Sequence, residues 1–515
     1  MLFAVFPSLA LAAEAVKKEV EKPWYTGFAP IALLLGVLVI VFWRIPKVKE
    51  DFPGQLSHLK VNGYKLRRSA NWMVLGLIYA FLYWGRYNLN GAVGAIGGSE
   101  MVRTFNWIFS VGAATYGLSF LLNGPLTDRL GGRFAILIGS FGAAVMNALM
   151  GVSCWAAVNG HVTHDQLFYL LMVLYALNMY FQSFGAVAIV KCNSAWFHVR
   201  ERGMFGAIFG ILISLGIYFA FDWTSLILND WKFSVEWSFF APSIALAVMF
   251  VVGWFVVRNR PSEAGYEDIN TGDATAGDNT KSDPPLAVFK MMLRSRVIMI
   301  IACIEFCSGF LRQAIMQMYR YYAKAISATG ELGLGGKDSF VYQNWGLLLC
   351  CAGIMGGVFA GTISDHFFGS RRGPVAAILY LGMIVCAVAM CFLLGVPVLA
   401  WLMIVMSMCV IGVHGMLSGT ASMDFGGSKN TGIAVGMIDG FVYAGTATQA
   451  ALYAITLPEV GAVGAENPSA WWFWPMAMIP IAIIGFYLSY KIRNEKPKAK
   501  KRKSDTEPGV ETASA

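Results

Sequence analysis

Two arginines interrupt otherwise apolar stretches of this chain. Arg86 lies within Tyr83-Trp84-Gly85-Arg86-Tyr87-Asn88, and Arg312 within Ser308-Gly309-Phe310-Leu311-Arg312-Gln313. A guanidinium offers a planar fork of donors and keeps its charge at any relevant pH, so two of them converging on one place suit a phosphoryl group. An arginine in the middle of a lipid-spanning helix costs roughly 2.5 to 3.5 kcal/mol on insertion scales, which marks each as a functional candidate. The competing reading is an internal ion pair, for which Glu305, two helical turns before Arg312, and Asp439 are the available carboxylates. The same two carboxylates are candidates for charge compensation or for carrying protons. His414 reads as a helix contact.

The elements that hold these residues must be membrane helices. Of 515 residues, 57% are hydrophobic and 13% charged, with a mean hydropathy of +0.59, far from the composition of soluble domains. Apolar windows of about 20 residues, the length needed to cross a bilayer, recur along the chain. Backbone groups in hydrocarbon must be satisfied internally, so these windows are helices. Twelve spans are predicted at 72–90, 106–126, 133–156, 167–190, 203–222, 237–257, 297–318, 342–363, 373–396, 398–420, 431–455 and 471–490. Residues 1–13 resemble a signal-peptide core ending in Ala10-Leu11-Ala12-Ala13. An apolar run from Trp24 to Trp43 (24–43) predicts one extra helix ahead of the bundle. The nine cysteines sit mostly in apolar runs without metal-ligand spacing, so neither a metal site, a disulfide framework nor a cofactor is expected. No P-loop, G-x-S-x-G or other activated nucleophile points to an enzyme.

Charge distribution orients the helices. If the extra helix runs outward to inward and later spans alternate, inner segments collect 29 of the 39 Lys and Arg residues. This puts the N-terminus outside and the C-terminus in the cytoplasm of a bacterial-type inner membrane. The basic tail, 491–515, with Lys496, Lys498, Lys500, Lys501, Arg502 and Lys503, then faces anionic lipid and not nucleic acid. The polar segment 258–296 divides the chain into halves at 72–257 and 297–490. An internal repeat supports the division. Gly124, Asp128, Arg129, Gly131 and Arg133 between spans 2 and 3 are echoed by Gly361, Asp365, Gly369 and Arg371 between spans 8 and 9. Both turns carry GxxxD followed by glycine and arginine, where glycine permits close helix contact and aspartate can cap or pair.

With this repeat the chain resembles the major facilitator superfamily, whose loop signature between its second and third helices is GxxxD(R/K)xGR(R/K). The resemblance implies an all-α polytopic membrane protein with two six-helix halves that rock about a central site. The extra N-terminal helix departs from that pattern. Tyr83, Arg86 and Asn88, with Leu311-Arg312, Tyr319 and Lys324, are similar to the arginine motifs of the organophosphate:phosphate antiporters, the glycerol-3-phosphate and hexose-phosphate carriers. Tyr116-Gly117, Phe181-Gln182, Lys191, Trp196 and Glu201-Arg202-Gly203 extend the match. The resemblance implies that Arg86 and Arg312 bind phosphate and that Tyr116 lines the site. Tyr87 stands where glycerol-3-phosphate carriers have lysine, Gln317 replaces their acidic residue, and Val442 replaces a lysine of hexose-phosphate carriers. The organic part of the substrate is therefore expected to differ from both.

Three functions fit. The first is an antiporter exchanging an organophosphate for inorganic phosphate as a monomer. The second is a proton-coupled organic-anion symporter or exporter that depends on Asp439 or Glu305. The third is a transporter-like sensor of phosphate esters. Gly124, Asp128, Arg129, Arg133, Asp365 and Arg371 are expected to govern conformational exchange.

Overall fold

The computed structural model describes residues 57–90, 101–198, 211–271, 284–327, 339–368, 372–418 and 422–494. The signal-like segment 1–13, the extra helix 24–43, Glu201-Arg202-Gly203, the middle of the central segment, Arg371 and most of the basic tail lie outside these residues.

Twelve long helices run through the described residues, which contain no strand. They are α1 (Tyr64–Tyr87), α2 (Met101–Leu130), α3 (Gly132–Val158), α4 (His164–Ser194), α5 (Ile211–Asp230) and α6 (Trp237–Val256) in the first half. The second half holds α7 (Arg296–Ile326), α8 (Trp345–Phe367), α9 (Arg372–Leu393), α10 (Val398–Met416), α11 (Ser422–Thr456) and α12 (Phe473–Lys491). Nine helices among the described residues are long and apolar enough to cross a membrane.

Several helices outrun the apolar windows that predict them. Tyr64, and not residue 72, begins α1, while α5 ends at Asp230, α7 at Ile326 and α11 begins at Ser422. Hydropathy marks where a helix meets hydrocarbon, whereas the backbone ladder continues wherever side chains and caps sustain it. Arg320 and Lys324, expected in an outer loop, occupy the last turns of α7, where cations favour the negative end of the helix dipole. Conversely, α1 closes at Tyr87, so Arg86 lies in its last turn and not in mid-helix.

One apolar core runs through both halves. Large residues such as Trp254, Phe255, Phe392 and Tyr487 point outward from it, as lipid-facing side chains should. The central segment is anchored at both ends. The Arg258 N–H donates to Asn71 Oδ1 (2.7 Å), and Trp196 donates to the Arg258 carbonyl (3.1 Å). Farther on, the short helix Pro285–Arg294 packs Val288 and Met292 against Ile433, Ala434 and Met437 of α11.

Candidate functional site

The structure brings Arg86 of α1 to the interface between the halves. Its guanidinium is fully buried, and every partner is neutral. Nε donates to Gln182 Oε1 (2.9 Å), Nη2 to the Tyr116 hydroxyl (3.2 Å) and Nη1 to the Tyr443 hydroxyl. The same group stands over the rings of Tyr83 and Tyr116, 4.4 and 4.5 Å from their centroids, an attractive cation–π arrangement.

A buried ladder of amides fixes the end of α1. Asn178 donates to the carbonyl of Gly85 (3.0 Å) and accepts from Asn147 and Gln182 (both 3.1 Å). Asn88 donates to Asn147 (2.9 Å), and the Tyr175 hydroxyl donates to the carbonyl of Arg86 itself (2.8 Å). Tyr175, Asn178 and Gln182 lie on one face of α4 through the three-and-four-residue spacing. Polar residues in a membrane helix are retained where they bond to neighbouring helices, and here α3 and α4 both bond to the end of α1.

Arg312 of α7 is 4% exposed, and its Nε and Nη2 have no acceptor among the described residues. Among the described residues no carboxylate lies within ion-pair distance of either arginine. Tyr443 of α11 joins the two: the Arg86 and Arg312 guanidinium carbons lie 5.4 and 5.8 Å from its ring centroid. Its ring packs on Tyr116 at 3.9 Å. This contact needs α2 and α11 to approach closely, and glycines allow it. A Cβ on Gly117 would stand 3.1 Å from the carbonyl oxygen of Gly440.

The remaining predicted residues fall in different places. Tyr87 is buried beside the arginines, with its ring stacked on Phe109 at 5.8 Å. Gln317 is buried in α7, with neither amide atom bonded, as are Gln313 in α7 and Gln449 in α11. Glu305 and Asp439 are buried but engaged elsewhere. Glu305 Oε2 is 2.8 Å from His414 Nδ1, a contact between α7 and α10, and Asp439 accepts from Ser418. Asp128 pairs with Lys191 of α4 at 2.7 Å, within the first half. Arg129 is exposed, and Gly124 is buried in α2. Arg133 turns away from Asp128, donating to the Trp254 carbonyl at the end of α6 (2.8 Å). Helix α8 continues through Asp365, whose side chain lies outside what the structure describes.

Sequence reasoning missed Tyr443 and the role of Gln182. A span tyrosine carries no distinctive cost, although Tyr443 falls one turn beyond Asp439. Gln182 was visible as a polar residue in a span, and the four-residue spacing from Asn178 marks its face.

This arrangement can bind an anion. Two buried positive groups face one interface with aromatic and amide walls, and among the described residues no carboxylate pairs with either and part of one fork is unbonded.

The profile of the Major Facilitator Superfamily matches residues 75–450. Among individual proteins, the chain is similar to the glycerol-3-phosphate transporter of Bacillus subtilis (strain 168), 25% identical over 74% of this chain and 84% of the relative. It is similar to the membrane sensor protein UhpC of Escherichia coli (strain K12), 24% identical over 78% of this chain and 88% of the relative. The glucose-6-phosphate exchanger SLC37A2 of Danio rerio is 23% identical over 60% of this chain and 64% of the relative.

Proposed function

Because this chain belongs to the major facilitator superfamily, we propose that it is a secondary active transporter that exchanges an organophosphate for inorganic phosphate by alternating access. One observation carries the proposal: two buried guanidiniums share Tyr443, and neither has a carboxylate partner among the described residues. A buried, unneutralised charge is costly, and an arriving phosphate offsets that cost. Arg86 is held in place by Gln182 and the amide ladder, while Arg312 retains unbonded donors for the ligand. Tyr116 and Tyr87 line the phosphate end. The amides of Gln313, Gln317 and Gln449 supply neutral donors and acceptors for the organic part. Names of relatives support the substrate class, since they include a glycerol-3-phosphate transporter and a glucose-6-phosphate exchanger.

In this reading Glu305 and Asp439 balance charge near the clamp, and Asp128 and Asp365, near the C-terminal ends of α2 and α8, govern exchange between states. The protein works as a monomer, without covalent chemistry, in a bacterial-type inner membrane with its C-terminus in the cytoplasm. The test is counterflow in proteoliposomes loaded with phosphate, with glycerol-3-phosphate and sugar phosphates outside. Exchange of phosphate against at least one ester is expected. A second reading follows from the similarity to a membrane sensor: binding of an ester with no counterflow would favour it.

A further inference from the structure

On the face where α5 and α11 end, two carboxylates do the same thing in opposite directions. Asp222 sits in the first of two π-helical turns that close α5, Phe219–Trp223 and Leu226–Asp230. Its Oδ1 accepts from the backbone N–H of Gly346 (3.0 Å) and its Oδ2 from that of Leu347 (2.7 Å), the second and third residues of α8. Glu459 follows the end of α11. Its Oε2 accepts from the N–H of Val102 and its Oε1 from that of Arg103, both at 2.7 Å, and these are the second and third residues of α2. In each half the carboxylate belongs to the end of the fifth helix and the capped terminus to the second. The first half caps a helix of the second, and the second half caps a helix of the first.

The local backbone is shaped for this contact. Single π turns inside helices recur at functional positions because they re-aim side chains. At Gly346 an added Cβ would stand 2.9 Å from Asp222 Oδ1 and 3.0 Å from the Phe221 Cβ, so glycine lets α5 approach. The first N–H groups of a helix have no partner within it, and the terminus carries positive partial charge. A carboxylate there satisfies two donors and faces that charge.

We propose that Asp222 and Glu459 are paired positioning residues that clamp this face of the molecule shut and set the balance between its two access states. Both caps join opposite halves, so opening on this face must break both, whereas movement within a half breaks neither. The residues act on the halves and not on the ligand. The inference rests on the transport reading for its purpose, but the clamp itself is a property of the empty protein.

The test measures distance across the face without any ligand. Phe233, beyond α5, and Val463, beyond Glu459, are exposed and belong to different halves. Genetically encoded spin labels at these two positions report separation of the halves. Losing one cap at about 1 to 2 kcal/mol corresponds to about a 5- to 30-fold rise in the open-to-closed ratio. Asp222→Asn and Glu459→Gln should each produce such a rise, and their product should appear in the double variant. Gly346→Ala, which crowds Asp222 from the opposite helix, should act in the same direction should the carboxylate variants fold poorly. A distance distribution in the double variant and in Gly346→Ala unchanged from the parent protein would overturn the proposal, even if melting temperature fell. Because no substrate is used, that result would leave the phosphate-exchange reading untouched.

Discussion

Replacing Gln182 with Glu places a carboxylate where the amide oxygen now accepts from Arg86 Nε at 2.9 Å. The shape is nearly unchanged, so the main perturbation is one negative charge next to the guanidinium. At about 4 Å and an effective dielectric of about 20, such a pair attracts by about 4 kcal/mol. A bound phosphate must then share Arg86 with a resident anion. At about 1.4 kcal/mol per tenfold, affinity should fall by about 100- to 1,000-fold. Thermal stability should hold or rise, because the buried charge gains a partner. Gln182→Leu is the control: it removes the bond without adding charge, and should lower stability by about 1.5 to 3 kcal/mol, the worth of a hydrogen bond to a charged group. Phosphate binding measured calorimetrically on both purified variants, beside their melting curves, separates the effects. If Gln182→Glu binds phosphate within about threefold of the parent, Arg86 does not meet the anion and the reasoning fails.

Three further outcomes follow. Asp128→Asn, which breaks the ion pair with Lys191, should slow phosphate exchange while equilibrium phosphate binding stays nearly constant; a large loss of affinity would contradict a purely conformational role. Glu305→Gln keeps a polar group against His414 but removes the charge, so phosphate exchange should persist across a pH gradient; loss of gradient-driven uptake with exchange intact would favour proton coupling instead. A tag placed after Ala13 should be reached from outside and one after Ala515 only from inside, and finding both on one side would refute the thirteen-span topology.

The fold was legible because lipid imposes two simple constraints, apolar length and internal backbone bonding, and both leave marks in sequence. Arg86 and Arg312 stood out for the same reason: a charge in hydrocarbon is costly enough to be conspicuous. Tyr443 was not legible, since a tyrosine in a span serves equally well against lipid, in the core or in a site. Its place beside both guanidiniums depends on how closely α2 and α11 approach at Gly117 and Gly440, a tertiary fact. The ion-pair alternative could not be settled from sequence either. Glu305 stands two turns from Arg312 along α7, yet it turns to His414, a partner 109 residues away. Asp222 and Glu459 carry no mark of their caps in the sequence, because the groups they bind are backbone N–H donors, which every residue but proline carries.

The central claim is that Arg86 and Arg312 form one phosphate clamp, and phosphate affinity in Arg86→Lys and Arg312→Lys tests it most directly. Lysine keeps the charge but loses the planar fork. The protein should insert and fold, because charge balance is preserved, while phosphate binding weakens at least about tenfold at each position. Near-normal affinity in both variants would contradict the clamp, and with it the preference for organophosphates over other anions.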